Sequence, residues 1–160
     1  MRTAVVYYSY SNNTRRIAEI IAEKLNADIL ELVPAVPYTY NQEELVKDEE
    51  EKMDQQELIE LEPFDLDLDF YDRIILGTPV WWYGISPAMR TFLVENKEQL
   101  KGKKFYAFIT NGGWIGHAVD DLEEHVFLEN VVDLQFNNKQ LRLNYDKALD
   151  EFIKDLSESE

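Results

Sequence analysis

The sequence predicts an α/β fold, a three-layer α/β/α sandwich in which helices cover both faces of a five-stranded parallel sheet. Short apolar runs typical of strands alternate with stretches at helical spacing along most of the chain. The run Ile74–Gly77 is continuously apolar, as expected for a strand covered on both sides. We find no internal repeat and no low-complexity linker, so we predict a single domain over residues 1–160.

The composition excludes several classes of protein. The 160 residues contain no cysteine, which rules out disulfides, thiolate metal ligands and a cysteine nucleophile, and which suits a reducing compartment. No apolar run is long enough to span a bilayer, and no basic segment of a signal peptide opens the chain. We therefore expect a cytoplasmic protein without membrane association, and we predict no metal site.

The charge balance narrows the range of partners. Acidic residues outnumber basic ones 32 to 16, for a formal net charge of −16. Such a surface repels nucleic acid, whose phosphates are also negative, and it attracts proteins that carry basic patches. The acidic charge could instead serve solubility alone, so the composition does not decide whether this chain binds a basic partner.

The first strand and helix enclose a polar turn. The apolar run Ala4–Tyr8 predicts a buried strand, and the apolar positions from Ile17 to Leu25 fall at helical spacing. Between them lies Ser9–Thr14, where five of six residues are small and polar. Capping the helix would need only one such residue. Because the first N–H groups of a helix have no internal partner and carry partial positive charge, we favour a phosphate cradle. The chain lacks both the G-x-x-x-x-G-K-[ST] and the G-x-G-x-x-G nucleotide motifs.

The second strand and the segment after it are less regular. Residues 27–33 predict a strand that Pro34 stops, because proline cannot donate to a ladder. Acidic residues crowd positions 43–69, and apolar residues at 45, 46, 53, 58, 59 and 61 have some helical spacing. We expect one helix here, packed on the edge of the domain. It could be a docking face for a basic partner, although a solvated helix and loop explains the pattern better.

The rest of the chain supplies three further strands and three further helices in alternation. We place the strands at residues 71–78, 104–110 and 131–136. We place the helices from a Ser86 cap to about Asn96, from about His117 to Val126, and over the amphipathic stretch Tyr145–Leu156.

Three unusual loops follow the first, third and fourth strands, and ligands of open α/β sheets bind at that edge. The loop 79–84 and the glycine-rich loop 111–116 contain all three tryptophans. Exposed indole rings indicate stacking on a flat ligand, although one of them could simply fill the core at a strand end. Glycines 112, 113 and 116 would let backbone N–H groups approach such a ligand closely.

Three motifs, in this order, resemble those of the flavodoxin family. Residues 8–15, YSYSNNTR, resemble its phosphate loop [ST]-x-[ST]-G-x-T, with Asn12 in the usual place of glycine. Residues 77–93 and 110–116 resemble the two isoalloxazine-binding loops of the flavodoxins that carry P-x-W-W. Asn111 replaces a more usual serine, and Tyr83 occupies a position often held by glycine. No long insertion splits the fifth strand, as in short-chain flavodoxins.

The resemblance implies a flavodoxin-like sheet with strand order 2-1-3-4-5 and FMN as cofactor. The peptide that rotates when the flavin is reduced would lie within Trp82–Gly84. Carried over by position, the implied FMN ligands are Ser9, Ser11, Asn12, Asn13 and Thr14 at the phosphate, Pro79, Val80, Trp81, Trp82 and Tyr83 on one side of the ring, and Thr110, Asn111, Gly112, Gly113 and Trp114 on the other.

The sequence leaves the activity open between three classes. A one-electron carrier needs no catalytic residue, and its acidic surface would steer it to basic patches on redox partner proteins. An FMN-dependent NAD(P)H quinone or nitro-reductase should show basic groups at the ring, where only Arg15, Arg16 and Arg90 lie near the motifs and His117 could donate a proton. An interaction module that has lost its flavin is the third class.

We favour the carrier, which would work at low potential between reductases and acceptor enzymes, and we expect a monomer.

A phosphoacceptor receiver domain shares this topology but needs acidic residues at the end of its first strand. This chain has Tyr7, Tyr8 and Ser9 there, so that interpretation fails.

Overall fold

The computed structural model describes residues 1–36, 58–136 and 141–159, with the side chains of 141–146 left aside. The strands are β1 (Thr3–Tyr7), β2 (Asp28–Glu31), β3 (Arg73–Trp81), β4 (Gly84–Ile85), β5 (Lys104–Asn111) and β6 (Leu128–Gln135). The helices are α1 (Asn13–Leu25), α2 (Pro87–Glu95), α3 (Ala118–Glu123) and α4 (Leu141–Glu158), with a short 3₁₀ turn at Leu68–Phe70. None of the described helices is long and apolar enough to cross a membrane.

The five long strands form one parallel sheet in the order β2-β1-β3-β5-β6. This is the predicted 2-1-3-4-5 order, and the numbering differs only because the two-residue strand β4 pairs antiparallel with the end of β3. In a parallel sheet every strand ends at the same edge, so the residues that follow β1, β3 and β5 come together there.

Side chains alternate between the two faces of the sheet, as the pleat requires. Val6 and Tyr8 pack into a core with α2 and α3, whereas Val5 and Tyr7 pack into a second core with α1 and α4. Both cores contain fully buried residues of the central strand β3, which explains its unbroken apolar run.

A buried arginine ties the start of the sheet to the last helix. Arg73 is fully buried. Its Nε donates to Thr3 Oγ1 at 3.0 Å, and one terminal nitrogen donates to the Leu156 carbonyl at 2.7 Å. The guanidinium also lies 5.7 Å from the centre of the Tyr106 ring. Because helix carbonyls in the last turn lack internal partners, this side chain satisfies one of them.

The predicted start and end of α2 are confirmed. The Ser86 hydroxyl accepts from the Met89 N–H at 3.3 Å, Pro87 occupies the first helical position, and Asn96 follows the last. Helix α3 ends at Glu123, three residues before the predicted Val126.

Two of our expectations about the chain between β2 and β4 were wrong. We expected the third strand to end at Thr78 and a loop to run to Gly84, but β3 continues through Pro79 to Trp81 and folds back as a hairpin. Pro79 interrupts donation at one position only, and Val80 and Trp81 pair with Ile85 and Gly84 beyond it.

The second correction concerns the helix expected in the acidic segment. Residues 58–61 are not helical: Leu61 forms an antiparallel bridge with Pro34. The Ala35 N–H donates to the Glu60 carbonyl at 2.9 Å, and the Glu62 N–H donates to the Val33 carbonyl at 2.7 Å. Strand pairing satisfies these backbone groups, so they are unavailable to a helix. The remainder of the expected helix, at 43–57, lies outside the described residues.

Candidate functional site

The three predicted loops surround one cavity of about 230 Å³ at the carboxyl edge of the sheet. We call it the edge cavity. It is lined by Tyr10, Ser11, Asn13, Pro79, Val80, Trp81, Thr110, Asn111, Gly112 and Phe136. Eight of these ten residues were predicted from the sequence, and they come from all three loops. Parallel pairing of β1, β3 and β5 is what brings them together.

The polar loop, residues 9–14, turns through a left-handed residue. Asn12 has φ 69° and ψ −5°, a conformation that asparagine tolerates better than other residues with side chains. Helix α1 begins directly after it. Among the described residues, no acceptor contacts the backbone N–H groups of Asn13 and Thr14. These two amides are therefore free to bind an anion.

Two hydroxyl groups of the polar loop already have partners. Ser9 Oγ accepts from the Arg15 N–H at 3.2 Å, so Ser9 helps to cap α1. Thr14 is 2% exposed, and its hydroxyl lies 2.8 Å from that of Thr110. This buried contact joins the polar loop to the end of β5. Ser11 and Asn13 are the loop's predicted ligands that line the cavity itself.

Trp81 forms one wall of the edge cavity, and two tyrosines hold its ring. Tyr8 and Tyr10 each contact the indole edge-to-face, with ring centres 5.7 Å apart in both pairs. Such pairs add stability beyond the area they bury. Tyr10 was not predicted as a site residue, although its position inside the polar loop could have indicated it.

The chain reverses between β3 and β4 through an unusual turn. Trp82 and Tyr83 have φ of 50° and 69°, so both central residues are left-handed, as in a type I′ turn. The Tyr83 carbonyl accepts from the His117 N–H at 2.6 Å. A Cβ atom at Gly116 would lie 2.2 Å from that same carbonyl oxygen. Gly116 is therefore required for the close approach of the two loops.

A buried carboxylate, Asp121 on α3, anchors the hairpin from behind. It is 7% exposed and accepts from the Ile85 N–H at 3.1 Å. It also lies 3.6 Å from the Arg90 guanidinium and 3.1 Å from His117 Nδ1. Sequence reasoning missed Asp121. Its signal was an acidic residue between Ala118 and Leu122 on the apolar face of the helix.

Tyr83 and Trp114 contact each other rather than the edge cavity. Their ring centres are 4.9 Å apart, and the two residues are 58% and 63% exposed. Seven predicted residues do not line the cavity: Ser9, Asn12, Thr14, Trp82, Tyr83, Gly113 and Trp114. Phe136, at the end of β6, lines the cavity but was not predicted.

The Asn111 side chain fixes the shape of the glycine-rich loop. Its Nδ2 donates to Asp133 at 2.5 Å, and its Oδ1 accepts from the Gly113 N–H at 2.9 Å. The Asn111 carbonyl accepts from the Phe136 N–H at 2.6 Å. Asparagine suits this position because its amide can donate and accept at once.

The residues that line the edge cavity carry no charge. Two of the nearby arginines are bound elsewhere: Arg15 to Glu31, and Arg90 to Asp121. Glu31 also accepts from the Tyr7 hydroxyl at 3.0 Å, and burial is the main cause that raises the pKa of Tyr7 to about 12. His117 does not line the cavity, and its Nδ1 is bound to Asp121.

Comparison with known proteins identifies the family of the chain. The model of one protein family, described as Flavodoxin, matches residues 2–153. No curated protein matches the chain.

Several solved structures are similar to this chain. A flavoprotein from Lactobacillus acidophilus NCFM in complex with FMN has 20% identity and a TM-score of 0.73 over 92% of this chain and 97% of that one. A protein described as a flavoprotein, from Bacteroides uniformis ATCC 8492, has 23% identity and a TM-score of 0.77 over 96% and 97%. Oxidised Flavodoxin 1 from Bacillus cereus has 18% identity and a TM-score of 0.59 over 99% and 98%. These likenesses show a shared fold.

Proposed function

Because this chain belongs to the flavodoxin family, we propose that it binds FMN at the edge cavity. With FMN bound, it carries electrons one at a time between other proteins. The observation that carries the proposal is the meeting of the polar loop, the β3–β4 hairpin and the glycine-rich loop around one cavity. When bound, FMN supplies a ring that accepts and releases electrons singly or in pairs.

The residues present fit such a cofactor. The free N–H groups of Asn13 and Thr14, with the Ser11 hydroxyl, offer donors for a phosphate at the start of α1. Trp81 offers an aromatic wall whose orientation is fixed by Tyr8 and Tyr10. A flat ring bound against it would lose contact with water on that side, which favours binding.

The glycine-rich loop lines the edge cavity through Asn111 and Gly112. Gly112 lines the cavity, and a Cβ atom there would meet nothing within 4 Å, so the space beside it is open. Asn111 holds the loop in place through Asp133 and Gly113. Hydrogen bonds from a loop held in this way can set the electronic properties of a bound ring.

The uncharged lining favours a carrier over a reductase. An enzyme that takes hydride from NAD(P)H must also hold that anionic nucleotide beside the flavin. Arg15 and Arg90 are engaged with Glu31 and Asp121, and neither lines the cavity. A protein that only presents a ring edge to its partners needs none of these cations.

The net charge of −16 suggests the kind of partner. A strong field of one sign steers association toward surfaces of the opposite sign and raises the rate of encounter. We therefore propose that the electron donor and acceptor are proteins with basic docking patches, which this chain meets as a monomer in the cytoplasm.

Anaerobic spectroelectrochemistry of the purified, FMN-loaded protein tests the proposed activity. We expect two separate one-electron steps, and no rapid reduction when NADPH or NADH is added alone. A single two-electron step together with direct reduction by either nucleotide would contradict the carrier and favour the quinone or nitro-reductase. A protein that cannot be loaded with FMN would defeat both.

Substitution at the polar loop tests where the phosphate binds. Because Ser11 lines the cavity and offers its hydroxyl there, Ser11→Ala should weaken FMN binding by about 1 kcal/mol. Riboflavin, which lacks the phosphate, should bind the variant and the parent protein alike. The two affinities are measured by fluorescence quenching, and equal losses for both ligands would place the phosphate elsewhere.

A further inference from the structure

A second and larger cavity lies at the opposite edge of the sheet. It measures about 550 Å³, which is within the usual range for small-molecule sites. It is bounded by the end of α2, the turn before β5, and the turn that joins α3 to β6. We call it the amino-edge pocket because it lies where β5 and β6 begin. Strand β5 runs from this pocket to the edge cavity, so the two lie on the order of 20 Å apart.

The floor of the amino-edge pocket is apolar, and part of its wall is unusually exposed. Leu93, Leu100 and Phe105 are buried at 2–4% exposure and belong to the core beneath the pocket. Phe127 is 77% exposed and Val94 is 40% exposed beside them. A phenyl ring left this far in water is costly, and burial against an apolar ligand would recover that free energy.

The rim of the pocket is basic, in contrast to the rest of the chain. Four of the 16 lysines and arginines fall within residues 97–104, and three of them line the pocket: Lys97, Lys101 and Lys103. Glu124 is the one carboxylate in the lining. The lining therefore contains three lysines and one glutamate, in a molecule whose net charge is −16.

The three ammonium groups differ in how they are engaged. Lys101 pairs with exposed Glu98 at 3.0 Å, and Lys103 donates to the Tyr71 carbonyl at 2.6 Å. Within the described ranges, Lys97 makes no ion pair. Lys97 is therefore the cation most available to an incoming anion.

His125 adds a neutral polar group to the lining. Burial, together with the positive charges of Arg90 and Lys97, lowers the pKa of this imidazole. It can therefore hydrogen-bond to a ligand at neutral pH without contributing charge.

From this arrangement we propose that the amino-edge pocket binds a small amphipathic anion, with an apolar body against Phe127 and the pocket floor and a single carboxylate held by the lysine rim. A neutral apolar molecule would use only half of the site. A highly charged one would leave the exposed phenyl ring unburied.

Amide NMR shifts of the ¹⁵N-labelled protein, with FMN added, test the proposal. The probes are 2-naphthoate and decanoate, with 2-naphthylmethanol as the uncharged analogue of the first. We expect a carboxylate probe to shift the amides of Gly102, Val126 and Phe127 and to leave that of Gly112 in the edge cavity unmoved. Binding of 2-naphthoate alone would identify aromatic acids as the ligand class, and binding of decanoate alone would identify chain acids.

Paired variants separate the charge from the apolar wall. The double variant Lys97→Gln/Lys101→Gln should weaken the bound carboxylate about five-fold, whereas Lys24→Gln, on the exposed side of α1, should not change it. Phe127→Ala should weaken both the acid and the alcohol, and the control Phe70→Ala, at a ring 47% exposed elsewhere, should weaken neither.

Four results would overturn the proposal. The first is failure of both acids to bind. The others are equal affinity for 2-naphthoate and 2-naphthylmethanol, an unchanged affinity in the double lysine variant, and shifts that map away from the pocket. None of these results depends on the activity of the flavin site.

Discussion

Asn12 and Asn26 are two asparagines in the left-handed backbone region, at opposite ends of α1. Their φ angles are 69° and 52°. Asn12 stands in the polar loop at the edge cavity, where the family usually has glycine, whereas Asn26 caps the far end of the helix. The departure from glycine therefore preserves the loop, because asparagine reaches the left-handed region at low cost.

Substitution of the two asparagines separates stability from cofactor binding. Asn12→Ala and Asn26→Ala should each lower the free energy of unfolding by about 1 kcal/mol, since alanine resists a positive φ. Only Asn12→Ala should also weaken FMN binding, because only that residue shapes the predicted phosphate site. Urea unfolding and FMN titration measure the two effects. An equal loss of FMN affinity in both variants would contradict this assignment.

Two buried tyrosines should make the protein sensitive to high pH. Burial, assisted by acceptance of the hydroxyl hydrogen by Glu31 or Asp28, raises the pKa of Tyr7 and of Tyr71 to about 12. The unfolded chain has a tyrosine pKa of about 10, so the folded state favours the neutral phenols. Their contribution to stability is complete below pH 10 and is lost as the pH rises from about 10 to about 12.

Urea unfolding between pH 8 and 12 measures this loss. The double variant Tyr7→Phe/Tyr71→Phe cannot ionise at these positions, so its free energy of unfolding should fall less steeply over the same range. An identical slope in the variant and the parent protein would show that other groups cause the alkaline loss.

The hairpin between β3 and β4 is an element that the sequence did not predict. Type I′ turns are recognised by Asn-Gly or Asp-Gly at their centre, and this one has Trp82-Tyr83. Two aromatic residues with positive φ are unfavourable locally, and the surrounding contacts maintain them. Two such contacts are hydrogen bonds. The His117 N–H donates to the Tyr83 carbonyl, and the Ile85 N–H donates to the Asp121 carboxylate. They are long-range, so no local pattern reveals them.

Two glycines with positive φ offer a matched test of this packing. Gly116, at φ 56°, faces the Tyr83 carbonyl, whereas a Cβ atom at Gly102, at φ 79°, would meet nothing within 4 Å. Both alanine variants pay the backbone cost of about 1 kcal/mol. Gly116→Ala should cost more, and it should also move the hairpin and weaken FMN. A change in the near-ultraviolet circular dichroism of Gly116→Ala alone checks this. Equal losses of stability would contradict it.

The topology of the sheet explains why the sequence could predict which loops surround the edge cavity. Once the strand–helix alternation indicated a parallel sheet, the loops after β1, β3 and β5 had to meet at one edge, and they do. Trp81 was correctly expected beside the cavity, but the places of the other aromatic rings were not predicted. Tyr83 and Trp114 pair with each other, and Phe136 enters from β6, because these contacts depend on the exact turns of separate loops.

Arg73 connects the first strand, the central strand and the last helix, so its substitution tests how much these contacts stabilise the fold. Arg73→Met should lower the free energy of unfolding by about 1–3 kcal/mol, because the Leu156 carbonyl loses its buried donor. Arg2→Met, at a side chain 56% exposed, should change it by less than about 0.5 kcal/mol. Chemical unfolding compares the two variants, and similar small losses would show that the buried contact contributes little.

The hydrogen bonds of Asn111 also bear on how the protein ages. An asparagine followed by glycine is prone to deamidation, because the unhindered glycine nitrogen attacks the side-chain carbonyl and ammonia leaves. Water then opens the resulting cyclic imide to a carboxylate. In the fold Asn111 is 9% exposed and its side chain is held by Asp133 and Gly113, so the attack requires that both contacts break. Deamidation at this position should therefore be slow in the native protein and fast after denaturation. After deamidation the new carboxylate would face that of Asp133, and repulsion between the two negative charges would open the glycine-rich loop.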